Sequence, residues 1–189
     1  MAEIEQEIRR RLEVRKPRHA ASGVLRPAAV LLPLVSEEDD YKLLLTVRAS
    51  SLRRQPGDIS FPGGAIDPDD ASPLAAALRE SEEEVGLKPS DVHILGQMEE
   101  MPTITGFCIT PFVGLVKGPY EFRTNHEVEE LLLVPLAALR EPDVVSIERR
   151  EISRGQRIPI YHYRHGEHDI WGITGRLVKE LIELLPAGS

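Results

Sequence analysis

Arg79, Glu80, Glu83 and Glu84 are the residues whose types and spacing first suggest chemistry. On a helix, spacings of three and four residues make the three glutamates neighbours. Like charges so placed destabilise a helix by roughly a few tenths of a kcal/mol per pair. Water, salt or a bound cation must offset that repulsion. A cluster built from carboxylates alone suits a hard divalent cation, Mg²⁺ or Mn²⁺, rather than zinc. The competing reading is a solvated acidic face, the usual meaning of a charge run.

The helix that must position these residues is marked at both ends. Ser72 is an N-cap residue, and Pro73 suits the first helical position, where its missing N–H is not needed. Gly86 fits the residue just past the helix, and Pro89 prevents resumption. Helical spacing predicts Leu74, Leu78, Ser81 and Val85 on the core side, with Glu80, Glu83 and Glu84 opposite. Ala76 and Ala77 fall on the glutamate side, small enough for a loop or ligand to come close.

The run from Arg79 to Leu87, R-E-S-E-E-E-V-G-L, together with Gly64 upstream, resembles the Nudix box. Its tail matches R-E-U-x-E-E-x-G-U (U, an apolar residue) except that Ser81 stands at the first apolar position. Asp70 stands where the box has an earlier glutamate, and one extra residue lies between it and Arg79. Neither Asp67 nor Asp70 receives a role from the sequence. The resemblance implies an α/β fold, an α/β/α sandwich with a mixed sheet and the box helix packed on it. It implies metal held by Glu80, Glu83 and Glu84, with Glu83 catalytic and Arg79 orienting a glutamate. It also implies an acid from outside the box, as a further ligand or as the base that activates water. Glu127, in the loop Asn125-His126-Glu127-Val128, is the first choice. Glu99 or Glu100 is the second, and His126 is a weaker base.

Upstream, Leu44, Leu45, Thr46, Arg48, Arg53, Gly57 and the run Phe61 to Gly64 resemble the signature of coenzyme A pyrophosphatases within the Nudix superfamily. Ala49 replaces the usual serine, and Gln55 stands where many relatives have histidine. Arg48 and Arg53 would leave a strand end near the Gly-Gly turn, where a guanidinium fork can grip a phosphate. Gly63 and Gly64 would let backbone approach a diphosphate closely. With Phe61, these are the substrate-binding candidates. The resemblance implies attack of water on the diphosphate of coenzyme A or its derivatives, giving 3′,5′-ADP and 4′-phosphopantetheine or its acylated form. Hydrolysis of another nucleoside diphosphate derivative, such as ADP-ribose or NADH, is the alternative within hydrolases. A Nudix-fold binding or regulatory module is the alternative without catalysis; such modules usually lose box glutamates, which this chain keeps.

Composition narrows the partners. The 189 residues suit one domain, with residues 1–23 as an N-terminal helix and linker extension. A net charge of −8 argues against a nucleic-acid binder and leaves a small molecule as the expected partner. The single cysteine, Cys108, reads as a small buried residue and fits a reducing cytoplasm. No apolar run approaches the roughly 18 residues needed to span a membrane. The oligomeric state stays open.

The other elements follow from periodicity. Ile4, Ile8 and Leu12 predict a helix from Met1 to about Glu13, read as solvated. Ala28 to Val35 and Lys42 to Val47 predict a buried hairpin. Strands are expected over Val92 to Met101, Phe107 to Val116, Leu131 to Pro135 and Ile158 to Tyr163, with a short helix at Leu136 to Leu139. Tyr161 and Tyr163 should share a face, and His162, His165 and His168 match no zinc pattern. Trp171 should help close the core ahead of a last helix capped by Thr174, with Leu177, Leu181 and Leu184 or Leu185 inward.

Overall fold

The computed structural model describes residues 2–15, 25–37, 40–51, 57–153 and 155–186. In chain order the elements are α1 (Ala2–Arg15), β1 (Arg26–Glu37), β2 (Asp40–Arg48), β3 (Ile59–Ser60), β4 (Gly63–Ala65), α2 (Pro73–Val85), β5 (Val92–Gln97), β6 (Met101–Pro102), β7 (Phe107–Lys117), β8 (Val128–Pro135), α3 (Leu136–Leu139), β9 (Val145–Ser153), β10 (Gln156–His165), β11 (His168–Ile170) and α4 (Gly172–Ile182).

The central strand is β1. Its residues 29–35 are apolar and largely buried on both faces, so the strand belongs inside a sheet. One edge runs parallel to β7 along its whole length, from Arg26 beside Phe107 to Ser36 beside Lys117. The other edge is shared. Leu34 to Glu37 pair with β2, and Ala28 to Val30 pair with β4. Between those pairings β1 and β2 part company. β3 pairs with the far end of β2, at Thr46 and Val47, and the chain then crosses to β1 as β4. The turn Phe61-Pro62-Gly63-Gly64 is thus wedged in a fork between the two strands, with the Leu31 N–H donating to the Pro62 carbonyl at 2.9 Å. Antiparallel β8, β5 and β6 complete a mixed sheet.

Alternation along the strands supplies two cores. Ala29, Leu31, Val35 and Leu44 face Ala76, Ala77 and Val85 of α2. Leu32, Leu34, Leu43 and Leu45 face the opposite layer, which includes Ile8 and Leu12 of α1, Leu136 and Leu139 of α3, and Leu177, Val178 and Leu181 of α4. The α/β/α sandwich with a mixed sheet is the observed architecture.

Several expectations change in detail. The N-terminal helix is solvated on one side only. Ile8 is fully buried and Leu12 nearly so, Tyr41 donates to Glu5 at 2.9 Å, and Arg9 bonds His93 at 2.7 Å. Periodicity of four was the correct sign of an amphipathic helix; its burial depended on a partner surface distant in sequence. Thr174 does not cap α4: its hydroxyl donates to the Ile59 carbonyl at 2.9 Å, tying the helix to β3. Trp171 is 40 % exposed, stacked against His162, and Ile170 closes the core in its place. The hairpin of β9, β10 and β11 forms a separate three-stranded sheet on which α4 rests, so close that a Cβ at Gly175 would lie 2.3 Å from the Tyr161 carbonyl oxygen. Tyr161 and Tyr163 do face the core from β10, whereas Cys108 is only half-buried, 3.8 Å from a Glu100 oxygen. Among the described residues no helix is long and apolar enough to cross a membrane.

Candidate metal and diphosphate site

The helix α2 is built as its end signals require. The Ser72 hydroxyl oxygen accepts from the Ala75 N–H at 3.1 Å, Pro73 opens the helix, and Gly86 closes it in the left-handed conformation at φ 69°. Its rotation about its axis differs from the expectation. Ala76, Ala77, Ser81, Glu84 and Val85 are buried, while Leu74 and Leu78 are only half-buried. The two alanines let the helix approach the sheet, so their small size serves β1 and not a ligand. Ser81 tolerates the core because its hydroxyl donates back to the Ala77 carbonyl at 2.7 Å.

This rotation separates the fates of the glutamates. Glu83 has a side chain 57 % exposed, Glu80 one that is 21 % exposed, and Glu84 is buried at 6 %. A purely solvated acidic face is therefore excluded for Glu84. The Gly63 N–H donates to Glu84 Oε2 at 3.1 Å, which locks the carboxylate under the turn. Burial pushes the Glu84 carboxyl up to about 7, against the pull of the Gly63 N–H and the positive charge of Arg48; the charges of Glu80 and Glu127 raise it further. Glu80 is likewise raised, by burial first and by Glu83 and Glu127 in addition, although Arg79 opposes this.

Arg79 is the hub of the outer rim. Its Nε and Nη2 donate to the two oxygens of Asp70 at 3.0 Å each. Nη1 donates to Glu80 Oε1 at 2.9 Å and approaches Glu83 Oε2 at 3.5 Å. This fork fixes the role that the sequence left open. Asp70, with a side chain 7 % exposed, orients Arg79, which in turn orients Glu80. The Arg79 hydrogen bonds hold the Asp70 carboxyl below its usual range, and the Asp67 N–H adds to the effect. Asp67 sits further out, 3.6 Å from Nη2. The inserted residue is absorbed in the loop without disturbing α2.

The Gly-Gly turn is required by packing. Gly63 has φ 149°, and a Cβ there would lie 2.3 Å from the Ala29 carbonyl oxygen. A Cβ on Gly64 would lie 2.7 Å from Glu80 Oε1. The glycines make room for β1 and for a box carboxylate. Phe61 is 3 % exposed within the core that includes Leu177, so its ring anchors the turn from below.

Arg48 ends β2 at the fork. Its N–H donates to the Asp58 carbonyl at 2.9 Å, and its carbonyl accepts from Gly57 at 3.0 Å, which sets Gly57 and Asp58 beside the end of β2. Arg53 and Gln55 lie outside the described residues. The register of β2 with β8 slips between Val47 and Arg48, placing an extra residue, Glu129, on β8. Such bulges redirect side chains. Among the described residues the buried Nε of Arg48 has no hydrogen-bond partner, and the guanidinium charge acts on Glu84.

The loop before β8 brings Glu127 to the same place. Its charge acts on both Glu80 and Glu84, and its carbonyl accepts from Ala49 at 2.8 Å. Glu100, a second choice, instead faces Cys108. The arrangement gathers Glu80, Glu83 and Glu127 near the buried carboxylate of Glu84, with the Arg48 charge beside it. Among the described residues no group of three or more acidic, cysteine or histidine side chains is already gathered as a metal cage. Even so, the donor set is all oxygen, and the cradle that Gly64 leaves open holds a box carboxylate; both fit a hard cation.

Comparison with known proteins gives the same family from independent grounds. The NUDIX domain model matches residues 24–155. A relative named "Uncharacterized Nudix hydrolase NudL" from Enterobacter sp. (strain 638) is 40 % identical over 158 residues, covering 82 % of this chain and 81 % of that protein. Its namesake from Photorhabdus laumondii is 36 % identical over 176 residues and covers 91 % of each. Among solved structures, a C. elegans Ap4A hydrolase has a TM-score of 0.52 at 21 % identity over 58 % of this chain and 80 % of that one. The M. smegmatis Nudix hydrolase RenU has 0.52 at 23 % identity, over 64 % and 83 %. At these identities the structural likeness speaks for the fold alone. Box, fold and sequence relatives agree: the chain belongs to the Nudix hydrolase family, pyrophosphohydrolases that generally use divalent metal ions such as Mg²⁺ or Mn²⁺.

Proposed function

We propose that this chain hydrolyses the diphosphate of coenzyme A and its derivatives, releasing 3′,5′-ADP and 4′-phosphopantetheine or its acylated form. The observation that carries the reading is Arg48. A buried guanidinium nitrogen with no partner among the described residues, beside a carboxylate cluster, is a poor structural device and a good receptor for a phosphate oxygen. It also belongs to the upstream signature that resembles coenzyme A pyrophosphatases, which Arg53 and the turn Phe61 to Gly64 share.

Glu80, Glu83 and Glu84 would hold the metal. When bound, Mg²⁺ or Mn²⁺ supplies neutralising charge at the diphosphate and acidifies water. Glu127 accepts the proton of the attacking water on a carboxylate oxygen as the water oxygen bonds to phosphorus and the bridging P–O bond breaks. Arg79 keeps Glu80 in place and does not touch substrate. Arg48 draws the substrate phosphate to the fork and compensates charge beside Glu84.

The test is a hydrolysis panel of coenzyme A, acyl derivatives, ADP-ribose and NADH with Mg²⁺ and with Mn²⁺. Higher kcat/KM for coenzyme A or an acyl derivative supports the reading. Preferred cleavage of ADP-ribose or NADH overturns the substrate, and no cleavage of any of them overturns the enzyme.

A further inference from the structure

We infer that Asn125 is a positioning residue that sets the direction of the Glu127 carboxylate relative to α2; this rests on the reading of Glu127 as the proton acceptor. Asn125 is half-buried and bonded three ways. Its side-chain Oδ1 accepts from the Glu127 N–H at 2.8 Å. Its own N–H donates to the carbonyl of Glu84 at 3.1 Å, and its carbonyl accepts from the Val128 N–H at 3.4 Å.

The first of these bonds closes a turn in which an asparagine side chain holds the backbone two residues on. The second fastens that turn to the box helix at the residue whose carboxylate is buried in the site. Glu84 is therefore gripped at both ends, by Gly63 at its carboxylate and by Asn125 at its carbonyl. Glu127 is gripped on both sides of its Cα, with its N–H on Asn125 and its carbonyl on the Ala49 N–H, next to Arg48. Backbone conformation limits the rotamers a side chain can adopt, so the two grips narrow the directions open to the Glu127 carboxylate. The same loop is anchored one step earlier, where the Arg123 N–H donates to the Val85 carbonyl at 3.0 Å. That bond survives loss of the Asn125 side chain, so the loop stays docked while Glu127 is free to turn. Misplacement of a reacting group by about 1 Å can lower a rate on the order of a hundredfold.

The test compares wild type, Asn125→Ala, Asn125→Asp, Glu127→Gln and the double variant Asn125→Ala/Glu127→Gln, on the faster of coenzyme A and ADP-ribose. Asn125→Ala is expected to lower kcat roughly 10- to 100-fold with KM within about threefold. Asn125→Asp keeps the acceptor and is expected to stay within about threefold of wild-type kcat. The double variant should be no slower than Glu127→Gln alone, because a misdirected glutamine loses nothing further. Amide exchange at Glu127 should accelerate in Asn125→Ala and not in Asn125→Asp. Should the alanine variant not fold, Asn125→Ser retains a weaker acceptor and should fall between wild type and Glu127→Gln. Wild-type kcat in folded Asn125→Ala or Asn125→Ser, or additive losses in the double variant, overturns the inference while leaving Glu127 in its role. Wild-type kcat in Glu127→Gln overturns the role of Glu127 and the inference with it.

Discussion

The backbone N–H of Gly63 and the carboxylate of Glu84 meet at 3.1 Å across the junction of sheet and helix. One residue belongs to a turn wedged between β1 and β2, the other to the buried edge of α2. Their bond makes the position of the turn and the charge of the cluster a single property.

That coupling predicts a pH dependence. Burial raises the Glu84 carboxyl from 4.5 to about 7 in the folded chain. Between those values the folded state holds a proton that the unfolded state has lost, so metal-free stability falls as pH rises through this window. The loss is on the order of 3 kcal/mol. Denaturant unfolding from about pH 4.5 to about pH 8 measures it. Binding of Mn²⁺ at about pH 6 should release close to one proton, and at about pH 8.5 very little. Calorimetry in buffers of different ionisation enthalpy reads this directly, and equal release at both values contradicts the assignment.

Glu83→Gln should abolish turnover without harming the fold. The side chain is 57 % exposed, so its loss leaves no cavity. Removing several kcal/mol of transition-state stabilisation corresponds to at least about a hundredfold in kcat. Circular dichroism and thermal melting should match wild type. Near-wild-type kcat removes Glu83 from the site.

Gly63→Ala and Gly64→Ala should fail differently. The first forces a Cβ into the Ala29 carbonyl at positive φ and should destabilise the fold by roughly 2 kcal/mol or more. The second meets first the movable Glu80 carboxylate, so the protein should fold while its Mn²⁺ affinity and kcat fall about tenfold. Thermal melts and metal titration separate the two.

Asp70→Asn should lower kcat about 10-fold through Arg79 and Glu80. It should also remove the part of the acid instability that Asp70 contributes. Its folded carboxyl is depressed, so its stabilisation is present above the unfolded value and is lost as pH falls. Melting curves of the variant and wild type should converge as pH falls through the acid range; a constant gap contradicts the pairing.

The local features of the site were legible in the sequence. Ser72, Pro73 and Gly86 end the helix through bonds to residues a few positions away, and the short helix at Leu136 to Leu139 appears as expected. What escaped were relationships set by distant partners. The rotation of α2 depends on how closely β1 admits Ala76 and Ala77, so Leu74 and Leu78 looked more buried than they are. The role of Asp70 follows from a loop path that brings it back onto Arg79. The burial of Ile8 and Leu12 depends on a surface that includes Leu95 of β5, and the exposure of Trp171 on the strand carrying His162. Glu127 was reachable from its acidic loop, but its anchoring to Glu84 through Asn125 is a backbone contact that no residue pattern encodes.

The most direct test of the central claim is the time course of 3′,5′-ADP and 4′-phosphopantetheine release from coenzyme A, with Mn²⁺, for wild type beside Glu83→Gln. The account predicts equal amounts of both products from wild type and almost none from the variant. Intact coenzyme A after prolonged incubation with wild type, while ADP-ribose is consumed, contradicts it.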